Sequence, residues 1–201
     1  MKLRFEYNKT FLQNLNKQLN IRKRALPTLK NKETALRLEV KNARNDAEKL
    51  SSDLDSIVLE QQEGNKIWCE YDLSLLGVDQ VTIGEKKIAG VRIPVLEEVS
   101  FVSAGVNLFS SPKWFHDGIS VLKRIIELEA ELRILKQKIG ILEYARKKTT
   151  QKVNLYEKVQ IPEYENTIRK IKRFLEDEEN LMKAAQKIVK SRKEKEMETG
   201  L

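Results

Sequence analysis

Side-chain chemistry needs partners, and the residues of this chain that could perform it stand apart. His116 is the one histidine among 201 residues and Cys69 the one cysteine. A catalytic imidazole works with a nucleophile or a carboxylate, and neither is grouped with His116, which follows Trp114 and Phe115 at a predicted helix start. Its expected role is structural. One thiol can form neither an internal disulfide nor a cysteine-rich metal centre, so Cys69 is expected to be a small buried hydrophobe. No Gly-rich loop of the P-loop type is present to cradle a phosphate. No catalytic residue, cofactor site or metal ligand is assigned, no cofactor is expected, and the chain reads as a non-enzyme.

What remains is charge. Residues 1–60 carry 13 Lys and Arg against 8 Asp and Glu, residues 61–117 carry 5 against 8, and residues 118–201 carry 20 against 14. Two basic arms therefore flank an acidic middle. The basic end at Lys183, Lys187, Lys190, Arg192, Lys193 and Lys195 suits a partner surface of opposite sign, with Lys187, Lys190, Arg192 and Lys193 as candidate contacts. Nucleic acid is not expected, because acids are interleaved with the bases and no aromatic stacking platform exists. No run approaches the roughly 18 uninterrupted apolar residues of a membrane span, and the segment 1–7 lacks the apolar core of a signal peptide. A cytoplasmic chain without direct membrane insertion is expected.

These charges must be positioned by helices. Stepping by three and four from Leu12 gives Leu15, Leu19, Arg22, Leu26, Leu29, Glu33, Leu36, Val40, Ala43, Ala47, Leu50, Leu54 and Ile57, with polar residues between. So narrow an apolar seam requires a partner helix. Asn8 or Thr10 can cap this helix, and Pro27 should bend it near residues 24–26 without ending it, since the seam resumes in phase. A second seam follows Ser111-Pro112 through Val121, Ile125, Leu128, Leu132, Leu135, Ile139 and Leu142. It weakens at Arg146 and Thr149, passes Val153 and Tyr156, and reappears shifted by one residue at Tyr164, Ile168, Ile171, Leu175 and Met182, beside Pro162. Two long helices, each needing one companion, fold back as an antiparallel pair, and the longer second helix overhangs.

Between the arms, Ile67, Trp68, Tyr71, Leu73, Leu75 and Leu76 suggest an apolar knob. Residues 81–95 then read as a β-hairpin with a polar turn between β-branched runs. Ile88, Val91, Ile93 and Val95 are its candidate partner contacts. Residues 99–109 are apolar without a clear period. The expected fold is mainly α: a long antiparallel two-helix coiled coil with a small α/β foot containing a β-hairpin. Its parts are an N-terminal coiled-coil helix (1–60), a central foot (61–117) and a C-terminal coiled-coil helix with a basic end (118–201).

Three separated segments carry a resemblance. Lys148-Thr149, Val153-Asn154, Glu157, Ile161-Pro162, Glu165, Thr167-Ile168, Ile171 and Leu175-Glu176 form the most specific one. Gln18-Leu19 with Leu29-Lys30-Asn31-Lys32 and Leu36 is the second, and Ile88-Ala89-Gly90-Val91-Arg92-Ile93-Pro94-Val95 is the third. Together they resemble the D subunits of V-type and A-type ATPases/ATP synthases, the central rotor shaft. Pro27, Gln151-Lys152 and residues 97–117 depart from the family pattern. The resemblance implies a non-catalytic central-stalk protein, coupling ATP synthesis or hydrolysis in a ring of alternating A and B subunits to proton or sodium transport. It further implies that the middle region holds the small F subunit and sits in the socket subunit (C/d) on the membrane rotor ring, with the complex peripheral to the membrane. The rival is a prefoldin-like coiled-coil chaperone, whose arms are shorter and more equal.

Overall fold

The structure, a computed structural model, describes residues 6–62, 76–103 and 114–199. A helix begins where its first free N–H groups find acceptors, and Asn8 supplies two. Its side-chain oxygen accepts the Phe11 N–H at 2.6 Å, and its carbonyl accepts the Leu12 N–H at 3.1 Å. Helix α1, Lys9–Gln62, then runs for 54 residues with Pro27 inside it. Leu26 and Leu29 are both half-buried, so the seam keeps its phase across the proline.

The hairpin is longer than its sequence pattern suggests. β1, Leu76–Ile88, pairs antiparallel with β2, Val91–Ser103. Its turn is not the polar stretch 84–87, which lies within β1 opposite Val95, Pro94, Ile93 and Arg92. The chain reverses at Ala89-Gly90 instead, where both residues have positive φ, 48° and 77°. Two such residues make the tight connection whose twist matches that of the strands, and Gly90 tolerates it without a steric cost. The apparent loss of period after Val95 also has a cause. The pairing slips at Asp79 in β1 and at Glu97 in β2, each a surplus residue that interrupts the strand alternation. Residues 99–103, apolar without a clear period in the sequence, belong to β2.

The second arm is helical from α2, Trp114–Asn154, into α3, Ile161–Thr199, joined through a π-helical turn at Leu155–Gln160. That turn is the physical form of the one-residue phase slip. The Ile161 N–H reaches back five residues to the Tyr156 carbonyl, and Pro162 has no N–H to complete an α-helical bond to Lys158.

The chain divides into two units, Met1–Asn31 with Thr150–Leu201, and Lys32–Thr149. In the first, Leu15 and Leu19 pack with Ile168 and Ile171, joined by Phe11, Leu12, Ile161, Tyr164 and Leu175. Ion pairs flank this seam: Lys30 to Glu157 at 2.6 Å, Lys23 to Glu165 at 2.6 Å and Lys9 to Glu179 at 3.2 Å. Partner numbers rise as α1 numbers fall, so the segments are antiparallel. The spacing also locates the surplus residue. From Lys30 to Lys23 is seven residues but from Glu157 to Glu165 is eight, whereas from Lys23 to Lys9 and from Glu165 to Glu179 are fourteen each.

In the second unit, Leu36, Val40 and Leu142 enclose Ile93 of the hairpin, with Ile88, Ala89, Val91 and Ala145 packed around them. An isolated two-stranded sheet is marginal. This one is anchored because its turn end covers apolar surface on the helices.

Candidate functional site

Most seam positions are buried or half-buried, but Met182, which periodicity also places on the second seam, is exposed. Leu15, Leu19, Leu36, Val40, Leu128, Leu132, Leu142, Ile168 and Ile171 are buried; Leu12, Leu29, Leu50, Leu54, Val121, Ile125, Leu135, Ile139 and Leu175 are half-buried. Fully burying such a side chain stabilises by about 1.5–3 kcal/mol and half-burial by less, so together the apolar residues act as the fastener. What is left for recognition lies outside.

Around the π turn the motif residues divide between packing and pairing. Thr149 and Thr167 are the buried polar residues among those described, and each hydroxyl donates at 2.8 Å to the carbonyl four residues earlier, Ala145 and Glu163. This internal bond lets a hydroxyl occupy an apolar seam. Glu157 and Glu165 form the cross-helix ion pairs, Val153 is half-buried, and Asn154 closes α2. Ile161 joins the apolar cluster, Pro162 faces outward, and the Lys148 ammonium lies 5.5 Å from the Tyr144 ring centre.

Arg22, a polar interruption of the first seam, has partners that periodicity did not reveal. Its Nε donates to Gln160 Oε1 at 2.7 Å, and its Nη1 donates to Gln18 through the side-chain oxygen at 2.7 Å and the carbonyl at 3.1 Å. The guanidinium lies 4.6 Å from the Tyr164 ring centre and 6.0 Å from that of Tyr156. The signal was present in the sequence as one charge on the seam opposite the phase slip.

Beyond Glu179 the second arm has no described α1 residue opposite it. Described side chains from Glu176 through Lys195 are all exposed, Lys187, Lys190, Arg192 and Lys193 among them. The segment remains helical, with Lys190 3.9 Å from Glu194. Leu181, Met182, Ile188 and Val189 are exposed beside these charges. The overhang is therefore amphipathic as well as basic.

The hairpin requires a correction. Ile93, expected at a partner surface, is only 1% exposed, and Ile88 and Val91 pack half-buried against the same core. Leu36, Val40 and Leu142 present an apolar surface that these side chains cover, so their surface is used within the chain. Val95 is exposed, as are Val78, Val81, Ile83 and Val102. Val81 and Ile83 face Ile125, Ile126 and Ile134 of α2 across a groove of about 430 Å³ rimmed by Glu129 and Arg133. A second groove, of about 260 Å³, lies between Leu50, Leu135 and Pro94-Val95-Leu96. Strand alternation placed Ile88, Val91 and Ile93 on one face, but did not reveal what that face packs against.

Among the described residues no group of His, Cys, Asp and Glu could hold a metal ion, and no helix is long and apolar enough to cross a membrane. The expected knob lies outside the described residues except for Leu76, which opens β1; Cys69 and the Ser111-Pro112 helix start also lie outside them, and the His116 side chain is not among those described.

The profile of the ATP synthase D-subunit family matches residues 11–191. The V-type ATP synthase D subunit of Borreliella burgdorferi is 31% identical over 192 residues, covering 94% of each chain. That of Chlamydia pneumoniae is 29% identical over 163 residues, covering 76% of this chain and 75% of its own. That of Chlamydia muridarum is also 29% identical, over 192 residues, covering 88% and 92%.

Proposed function

We propose, on the premise that the chain belongs to the ATP synthase D-subunit family, that its paired helices turn inside a ring of alternating A and B subunits and couple ATP synthesis or hydrolysis there to ion movement. It is a central-stalk component of a V/A-type ATPase. The observation that carries the shaft reading is the antiparallel pair itself. Its apolar residues are spent on the seam, its flanks are held by ion pairs, and its outer face is charged. A body that turns within a ring must hold together while adhering weakly to its surroundings, and this distribution meets both demands.

Each unit then has a role. The overhang from Asn180 onward, with Lys187, Lys190, Arg192 and Lys193, enters the ring most deeply and meets carboxylates lining it. An asymmetric shaft touches each nucleotide site differently, and that differential contact biases opening and closing. Catalysis belongs to the ring, and this chain contributes no active site of its own. The hairpin, through Val78, Val81, Ile83, Val95 and Val102, takes the small F subunit, and the foot at 61–117 sits in the socket subunit on the membrane rotor ring. The protein is thus peripheral to the membrane on its cytoplasmic side. The prefoldin-like alternative has no support in a family match that spans residues 11–191.

Affinity-tagged chain recovered from native membranes, with its companions identified by mass spectrometry, tests this reading. The A, B and F subunits and the socket subunit should co-purify in fixed ratios. Recovery of the chain without A and B would overturn it.

A further inference from the structure

A surplus residue in a paired helix has to be stored somewhere. Here it is stored at Leu155–Gln160, between the Lys30–Glu157 and Lys23–Glu165 contacts. Two features hold it there. Pro162 lacks the N–H that an α-helical bond to the Lys158 carbonyl would use, which lowers the cost of a π turn immediately before it. Arg22 reaches across from α1 into the turn, with its Nε on Gln160 and its guanidinium over Tyr164. A planar, multiply donating cation in a largely apolar seam tolerates few positions for its partners.

We propose that Arg22 and the π turn form a register lock. The turn holds one surplus residue, Arg22 pins it between Glu157 and Glu165, and releasing Arg22 lets it move along the second arm. Moving it past a given residue turns that residue about the helix axis by about 100°, one residue of an α-helix. The lock thereby sets which face of the second arm is presented on each side of it. Its bearing on rotary coupling rests on the shaft reading above; its existence does not.

The test uses the full chain in a Cys69→Ser background. Lys30→Cys is paired with Glu157→Cys or with Lys158→Cys, and Lys23→Cys with Glu165→Cys or with Tyr164→Cys. With Arg22 present, the 30–157 and 23–165 pairs should crosslink within one chain and the alternatives should not. With Arg22→Leu, which suits the apolar seam, either 30–158 or 23–164 should appear, according to the direction the surplus takes. Amide exchange at residues 155–161 should also rise by roughly tenfold as local opening becomes easier. Deleting Lys158 removes the surplus, makes the second seam continuous in heptad phase, and should slow exchange there below that of the intact chain. If Arg22→Leu yields only the native crosslinks and unchanged exchange, the lock is wrong. In the assembled complex the Lys158 deletion should lower coupled turnover while the chain remains folded. Full turnover there would overturn the rotary role, whatever the crosslinks show.

Discussion

The ammonium of Lys9 lies 3.2 Å from the Glu179 carboxylate, and this contact marks where α1 ceases to accompany the second arm. Side chains before it, such as Leu175, are packed against α1, whereas those described beyond it are exposed.

The overhang should therefore be dispensable for folding. A chain ending at Asn180 should unfold in denaturant within about 0.5 kcal/mol of the full chain, the usual range for exposed changes. Its charges should act collectively, because each exposed ion pair contributes only about 0 to 1 kcal/mol and is weakened by salt. Reversing Lys187, Lys190, Arg192 and Lys193 to Glu together should lower coupled ATP turnover and weaken insertion into the ring at low salt, while any single reversal does little. Undiminished turnover by the quadruple variant would leave the overhang without a role in coupling.

Two isoleucines of the hairpin should behave oppositely. Ile93 is enclosed by Leu36, Val40 and Leu142, so Ile93→Ala should cost about 2–5 kcal/mol in chemical denaturation. Ile83 is 52% exposed beside the larger groove, so Ile83→Ala should leave stability within about 0.5 kcal/mol. The same change should weaken binding of the F subunit in titration calorimetry. An Ile83→Ala chain that binds F normally removes this face from the partner assignment.

The turn gives a backbone prediction. Gly90 has φ of 77°, and a Cβ there would stand 3.4 Å from the Lys32 ammonium. Gly90→Ala should destabilise by about 1–2 kcal/mol, chiefly through the left-handed conformation. Denaturant midpoints with unchanged slope would measure it.

The flanking ion pairs should count for little individually. Lys30 and Glu157 are each nearly half exposed although only 2.6 Å apart. A double-mutant cycle with Lys30→Ala and Glu157→Ala should give a coupling of about 0.2–1 kcal/mol, shrinking as salt rises. A coupling of several kcal/mol would mean that charges rather than the seam hold the arms.

The seams were legible in the sequence because a helix repeats its burial every three to four residues, and Leu36, Leu142 and Ile171 sit at such positions and are buried. The phase slip was legible as a break between Tyr156 and Tyr164, but its π-helical form was not, since a skipped residue can be absorbed in several ways. Lateral pairs such as Lys23–Glu165 were hidden for a different reason. Charges abound on the outer faces, and only the register of two distant segments decides which ones meet. The hairpin was found by its β-branched runs, but its turn was placed too early because polarity at 84–87 outweighed the positive-φ preference of Gly90. Alternation put Ile88, Val91 and Ile93 on one face, but that Leu36, Val40 and Leu142 cover this face depends on contacts between distant segments.

Those bulges also bear on how the protein survives its own synthesis. In a sheet of two strands, neither strand has an interior position, and each offers a row of backbone groups to any passing extended segment. A second copy of the hairpin is the nearest such segment at high concentration. At Asp79 and Glu97, however, an added strand would meet a step in the ladder with a carboxylate beside it, and Pro94 leaves one donor missing from β2. Regular growth of the sheet from chain to chain is thereby discouraged without any covering element. The exposed apolar side chains Val78, Val81, Ile83 and Val102 are thus carried on a hairpin that is a poor template for fibres.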